Sequence, residues 1–107
     1  MNKLIVTFLA AMATLAGVAL AADAKAGADV FAKSCKMCHG EGGATPNAAI
    51  AKSFGVTIPV LGSKDMQAKP DSEIRDVITK GKGKMPAAKT VTGAALDDVV
   101  AYFRTLK

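Results

Sequence analysis

The stretch Cys35-Lys36-Met37-Cys38-His39 decides the reading of this 107-residue chain. It holds both cysteines and the single histidine of the whole sequence. Chemistry that needs thiol and imidazole groups is therefore confined to five consecutive residues, supplemented by the five methionines. Around this stretch the chain reads as three or four helices joined by loops rich in glycine and proline, with little β signal.

Upstream, residues 25–36 have the pattern of a first helix leading into the cysteines, with Ala26, Val30, Phe31 and Ala32 on its apolar side. Downstream, residues 40–46 contain three glycines and a proline and read as loop. A short helix is expected over 47–54 and an extended loop over 55–69. Pro70-Asp71-Ser72-Glu73 reads as a helix start, with Asp71 or Ser72 as cap and acidic residues in the first turn. Ile74, Val77 and Ile78 then share one face, and Gly81 is a natural stop. After a second loop over 81–91, Leu96, Val99, Val100, Phe103 and Leu106 recur at helical spacing in a last helix from Gly93 or Ala94 to Leu106.

The N-terminus has a different character. Lys3 precedes an uncharged apolar run over residues 4–20, followed by Ala19-Leu20-Ala21-Ala22-Asp23. A positive start, an apolar centre and an A-x-A site form the layout of a secretory signal, expected to be cut after Ala21 or Ala22. A retained anchor is the alternative, since the run is at the lower limit for spanning a bilayer. The expected division is a signal over 1–22 and one domain over 23–107. Removing the signal takes away Lys3 alone among the charged residues, so the formal charge falls from +5 to +4. No basic stripe interleaves with aromatics, so nucleic-acid binding is not indicated. A mature domain of about 85 residues has difficulty burying enough apolar surface alone and gains from a large apolar insert.

C-x-x-C-H is the spacing of a c-type haem attachment site. Two thiols three positions apart add to the two vinyl groups on one side of a haem, and the next residue brings its imidazole under the iron. Cys35, Cys38 and His39 are the expected attachment and ligand residues. A dithiol redox centre and a structural disulfide are the alternatives. A zinc site lacks the further Cys or His needed to complete it. For the second axial ligand, Met85 lies in Lys80-Gly81-Lys82-Gly83-Lys84-Met85-Pro86, 46 residues beyond His39. A thioether on iron raises the reduction potential relative to histidine. The neighbouring glycines let the backbone wrap closely, and Pro86 restrains it. Met66 is the rival, its alternative fate being ordinary core packing.

With these residues in view, nearly the whole mature chain resembles a class I monohaem cytochrome c of the short bacterial type. Gly27-x-x-x-Phe31 is similar to that family's N-terminal helix, and Val99-Val100-Ala101-Tyr102 to the C-terminal helix that crosses it. Met85-Pro86 resembles the distal ligand motif. Pro59-Val60-Leu61-Gly62 resembles the loop whose proline carbonyl accepts the other N–H of the proximal histidine. The resemblance implies an all-α cytochrome c fold around one covalent haem c, with His39 and Met85 on the iron and Pro59 supporting His39.

Two axial ligands leave iron no open position, so the expectation is an electron carrier rather than an enzyme; the signal directs it to the periplasm, and nothing in the sequence argues against a monomer. A haem sensor, gas-binding or peroxidase-like protein is the alternative, if Met85 is absent from iron or easily displaced. Lys80, Lys82, Lys84 and Lys89 flank Met85 and either steer docking onto an acidic patch of a redox partner or are simply solvated. No stable membrane insertion is expected once the signal is removed.

Overall fold

The computed structural model describes residues 21–107, so most of the expected secretory signal lies outside the described residues. The described chain is helical, in the order α1 (Ala24–Ser34), α2 (Lys36–His39), a 3-10 turn (Glu41–Gly43), α3 (Ala48–Phe54), α4 (Lys64–Gln67), α5 (Asp71–Lys80) and α6 (Ala94–Phe103). Among the described residues β pairing is limited to one isolated bridge, Lys82 to Met85.

Helix α1 starts on Asp23, whose carboxylate accepts from the backbone N–H of Lys25 at 2.9 Å and Ala26 at 3.2 Å. The helix expected to run unbroken to Lys36 instead ends at Cys35, where the backbone leaves helical geometry (φ −124°), and resumes as the single turn α2. Its buried face is Gly27 and Phe31, while Ala32 is exposed. Positions i and i+4 stack along one side of a helix, and the close approach at Gly27 selects the side that faces inward.

That approach is to α6. A Cβ on Gly27 would overlap the main-chain carbonyl of Asp98 and lie 2.8 Å from Tyr102 Cβ. The two helices cross in backbone contact, and the rings of Phe31 and Tyr102 pack tilted at 54° with centroids 5.3 Å apart. Val99, Val100 and Phe103 are the buried residues of α6, with Leu96 and Leu106 packed at the margin. Ile74 and Ile78 are those of α5.

Three local expectations change. Helix α5 begins on Pro70 with no side-chain cap, and Asp71 and Ser72 are its first residues rather than its caps. The 55–69 segment contains α4, started by Ser63. This turn is held by a long-range network that carries no local signature. The Gln67 amide donates to the carbonyls of Leu61 (3.0 Å) and Phe103 (2.9 Å). Arg104 donates to the Gln67 carbonyl (2.9 Å), to the Lys69 carbonyl and to the Asp71 carboxylate (2.7 Å). Helix α6 stops at Phe103, so Leu106 lies beyond its end.

The hydrophobic core consists of Phe31, Leu61, Ile74, Ile78, Val91, Val99, Val100 and Phe103. Six of these eight, all but Val91 and Val100, also line a single cavity. The core is therefore built around that space.

Candidate functional site

The cavity has a volume of about 560 Å³ and a predominantly apolar wall, a size and character typical of a small-molecule or cofactor site. Cys35, Cys38, His39 and Met85 all line it, as do Pro59 and Met66. Residues from four separate parts of the chain thus converge on one space.

The proximal side is built from the α1–α2 break. With the helix interrupted at Cys35, the α2 turn is closed by His39 N–H donating to the Cys35 carbonyl at 3.0 Å. Asn47 then ties the start of α3 back to this turn: its N–H donates to the Cys38 carbonyl (2.9 Å) and its side-chain amide to the Met37 carbonyl (3.1 Å). The same side chain caps α3 by accepting from Ile50 N–H. Both cysteines are free thiols. Burial, reinforced by the neighbouring Cys38, pushes the Cys35 thiol above its ordinary pKa, and burial lowers that of the His39 imidazole. A lowered histidine pKa favours the neutral imidazole, the form that binds a metal.

The Met85 side is built by a tight reversal. Lys82 and Met85 exchange both backbone hydrogen bonds at 3.0 Å around a Gly83-Lys84 tip. Gly81 and Gly83 hold φ of +78° and +57°, the region that glycine enters without steric cost. A Cβ on Gly81 would lie 2.6 Å from the Met85 carbonyl. Ala88 N–H donates to the Ile78 carbonyl at 2.8 Å and returns the chain to α5. The glycine-rich loop is closed on itself and anchored back to α5. Met66 is held differently: it sits on α4 and packs against the buried core as well as lining the cavity.

Pro59 lines the cavity wall, but the contact that the resemblance implies for it is not made. His39 Nδ1 is buried and has no hydrogen-bond partner. The backbone beside Pro59 is tied elsewhere: the Val60 carbonyl accepts from Ser63 N–H at 3.1 Å, and Leu61 N–H donates to the Gly43 carbonyl at 3.1 Å.

These observations fit a haem. Two free thiols, an imidazole with a buried unpartnered nitrogen and a thioether are the donor set that covalent attachment and axial ligation require. The apolar surface of the wall has no internal partner: Phe54 lines the cavity yet is 53% exposed. Ile50, Phe54 and Val56 escaped the sequence reading as wall residues. Their apolar character was visible, but which face of α3 turns inward depends on the Asn47 anchor. Among the described residues no cluster of His, Cys, Asp and Glu could form a bare metal cage.

Comparison with known proteins places this geometry. Residues 22–103 match the family described as "Cytochrome C oxidase, cbb3-type, subunit III". Cytochrome c6 of Picosynechococcus sp. is 34% identical over 107 aligned residues, covering 95% of this chain and 92% of that protein. The solved structure of the KustC0563 c-type cytochrome superposes with a TM-score of 0.61 at 24% identity, covering 76% of this chain and 96% of its own, a likeness of fold.

Proposed function

The chain belongs to the cytochrome c family, and on that premise we propose that it is an exported one-electron carrier whose haem is attached at Cys35 and Cys38 and ligated by His39 and Met85. Its cofactor is one covalently bound haem c and its role is electron transport. The observation that carries the ligand assignment is the convergence of Cys35, Cys38, His39 and Met85 on one apolar cavity.

Haem supplies a reversible one-electron iron couple when bound. The chain's own residues account for the rest. Cys35, at the start of the α2 turn, and Cys38, within it, would fasten the cofactor covalently. His39 presents a neutral imidazole. Met85 is favoured over Met66 because its reversal is closed by backbone bonds and leaves its side chain outside the buried core, whereas Met66 is engaged in core packing. The apolar walls from α5 and α6 exclude water, which limits solvent reorganisation as charge changes.

Redox proteins are the partners of such a carrier. Lys80, Lys82, Lys84 and Lys89 are exposed around the Met85 reversal and suit docking onto an acidic surface. Residues 1–22 serve as the export signal in this reading, delivering a monomer to the periplasm. No described helix is long and apolar enough to cross a membrane.

The test is the ferric spectrum of the holoprotein. Met85→Ala removes the thioether-to-iron charge-transfer band and lets the reduced protein bind carbon monoxide, while Met66→Ala leaves the band in place. A five-coordinate wild type, or loss of the band on changing Met66 alone, overturns the assignment.

A further inference from the structure

The backbone N–H of Asp23 donates to Asp98 Oδ1 at 2.8 Å, across 75 residues of sequence. This bond joins the residue before α1 to the first turns of α6, on the helix pair that crosses at Gly27. A notch of about 290 Å³, lined by Ala21, Ala22, Asp23, Ala94, Asp97 and Asp98, surrounds it. Asp97 is already paired with Arg75, Nη1 to Oδ1 at 2.6 Å. The Asp23 carboxylate is occupied as the cap of α1. Asp98 makes no ion pair among the described residues. Its carboxylate thus accepts a bond from a neutral amide at the place where the export segment ends.

We infer that the amine freed by removal of the export segment, at Ala22 or Asp23, is held by Asp98, so that processing itself strengthens the α1–α6 crossing. The inference rests on the export reading above. In the hydrolysis an external peptidase breaks the C–N amide bond with one water. The hydroxyl goes to the carbonyl of the departing segment, which leaves as a carboxylate, and the freed nitrogen is protonated to an ammonium. If cleavage follows Ala22, that nitrogen is the atom already 2.8 Å from Asp98 Oδ1. If it follows Ala21, the ammonium is one peptide unit away, within the same notch. The carboxylate already accepts a bond from the neutral amide; an ammonium in its place adds the attraction of two opposite charges. An ammonium at a helix N-terminus opposes the helix dipole, and Asp23 and Asp98 offset that repulsion. The charged groups around the amine are Asp23 and Lys25 from α1, Asp97 and Asp98 from α6, and Arg75 from α5.

The amine should titrate above its ordinary range of about 7.7–8.0. With the folded pKa raised, the added stability is fully present below the unfolded pKa and is lost as pH rises through the folded one. The experiment uses processed, haem-loaded protein recovered from the exporting cell, as wild type and Asp98→Asn, which keeps an acceptor oxygen for the N–H. Intact mass should show a chain beginning at Ala22 or Asp23. By NMR titration the amine should titrate higher in wild type than in the variant. The unfolding constant of the variant at pH 7 should be larger by about two- to fivefold, the range for a partly exposed pair, and the difference should shrink by pH 10. Equal amine titration in the two proteins overturns the pairing. A chain beginning elsewhere overturns the processing point, while the axial-ligand spectra test the carrier reading separately.

Discussion

Replacing Gly27 with alanine probes the contact on which the helix crossing depends. In an isolated helix the change is favourable, by about 0.8–1.0 kcal/mol of intrinsic propensity. Here the new methyl would overlap the Asp98 carbonyl and lie 2.8 Å from Tyr102 Cβ, against ordinary carbon separations of about 3.5–4.0 Å. Two of the three nearest atoms are backbone, so no side-chain rotation relieves the overlap, and α1 and α6 must part by about an ångström. A gap of that size forfeits about a quarter to a half of the dispersion energy of each affected contact. The affected contacts include Phe31 against Tyr102. Overpacking costs about 1–3 kcal/mol, occasionally more, and this site belongs at the upper end because it cannot yield. After the propensity gain the net loss is about 2 kcal/mol, or about 8–16 °C in Tm for a domain of this size. Denaturant unfolding of the holoprotein, followed by far-ultraviolet circular dichroism at matched haem content, measures it. A Gly27→Ala protein as stable as wild type, with unchanged denaturant slope, would refute the claim that backbone contact at Gly27 sets the crossing.

Four further outcomes follow from the site and its supports. Changing both Cys35 and Cys38 to serine should leave any bound haem extractable by acidified organic solvent, where the wild type retains it in the protein fraction. Gly81→Ala forces a side chain to φ +78° and against the Met85 carbonyl, so an added ligand such as imidazole should displace the thioether at lower concentration, read by loss of its charge-transfer band. Gln67→Ala removes two hydrogen bonds that join Leu61 and Phe103. It should cost about 1–3 kcal/mol, from a net value of about 0.5–1.5 kcal/mol each, measured by the same unfolding assay. Changing Lys80, Lys82, Lys84 and Lys89 to glutamate should slow association with an acidic redox partner at low ionic strength, and the effect should fade toward physiological salt as screening grows. Stopped-flow rates that are unchanged at low salt would remove the lysines from docking.

Much of this protein was legible before any tertiary contact was known, because the relevant information is local. The C-x-x-C-H spacing, the helical periodicity of Ile74, Val77 and Ile78, and the stop at Gly81 are properties of a few neighbouring residues. Local backbone geometry can act on them directly. Gly27 and Pro59 were read through resemblance, with different outcomes. Gly27 sits in backbone contact with α6, while Pro59 reaches the cavity wall without the hydrogen bond to His39.

What only the tertiary structure decided involves partners far apart in the chain. The haem-attachment string indicated a cofactor. That six of the eight core side chains face the cavity, so that the haem completes the core, emerged only when α1, α5 and α6 were placed together. The sequence could rank Met85 above Met66 but could not show the physical difference between them. Met66 is drawn into the core on a turn stitched to α6 by Gln67 and Arg104, while Met85 is set on a reversal closed by its own backbone. Asp23 and Asp98 likewise look like two ordinary helix-start acids until the helix crossing brings them to 2.8 Å. Periodicity and capping report what a residue does to its own turn. They carry no information about which distant turn it will meet, and in this protein those meetings settle how the Cys35 to His39 stretch is housed.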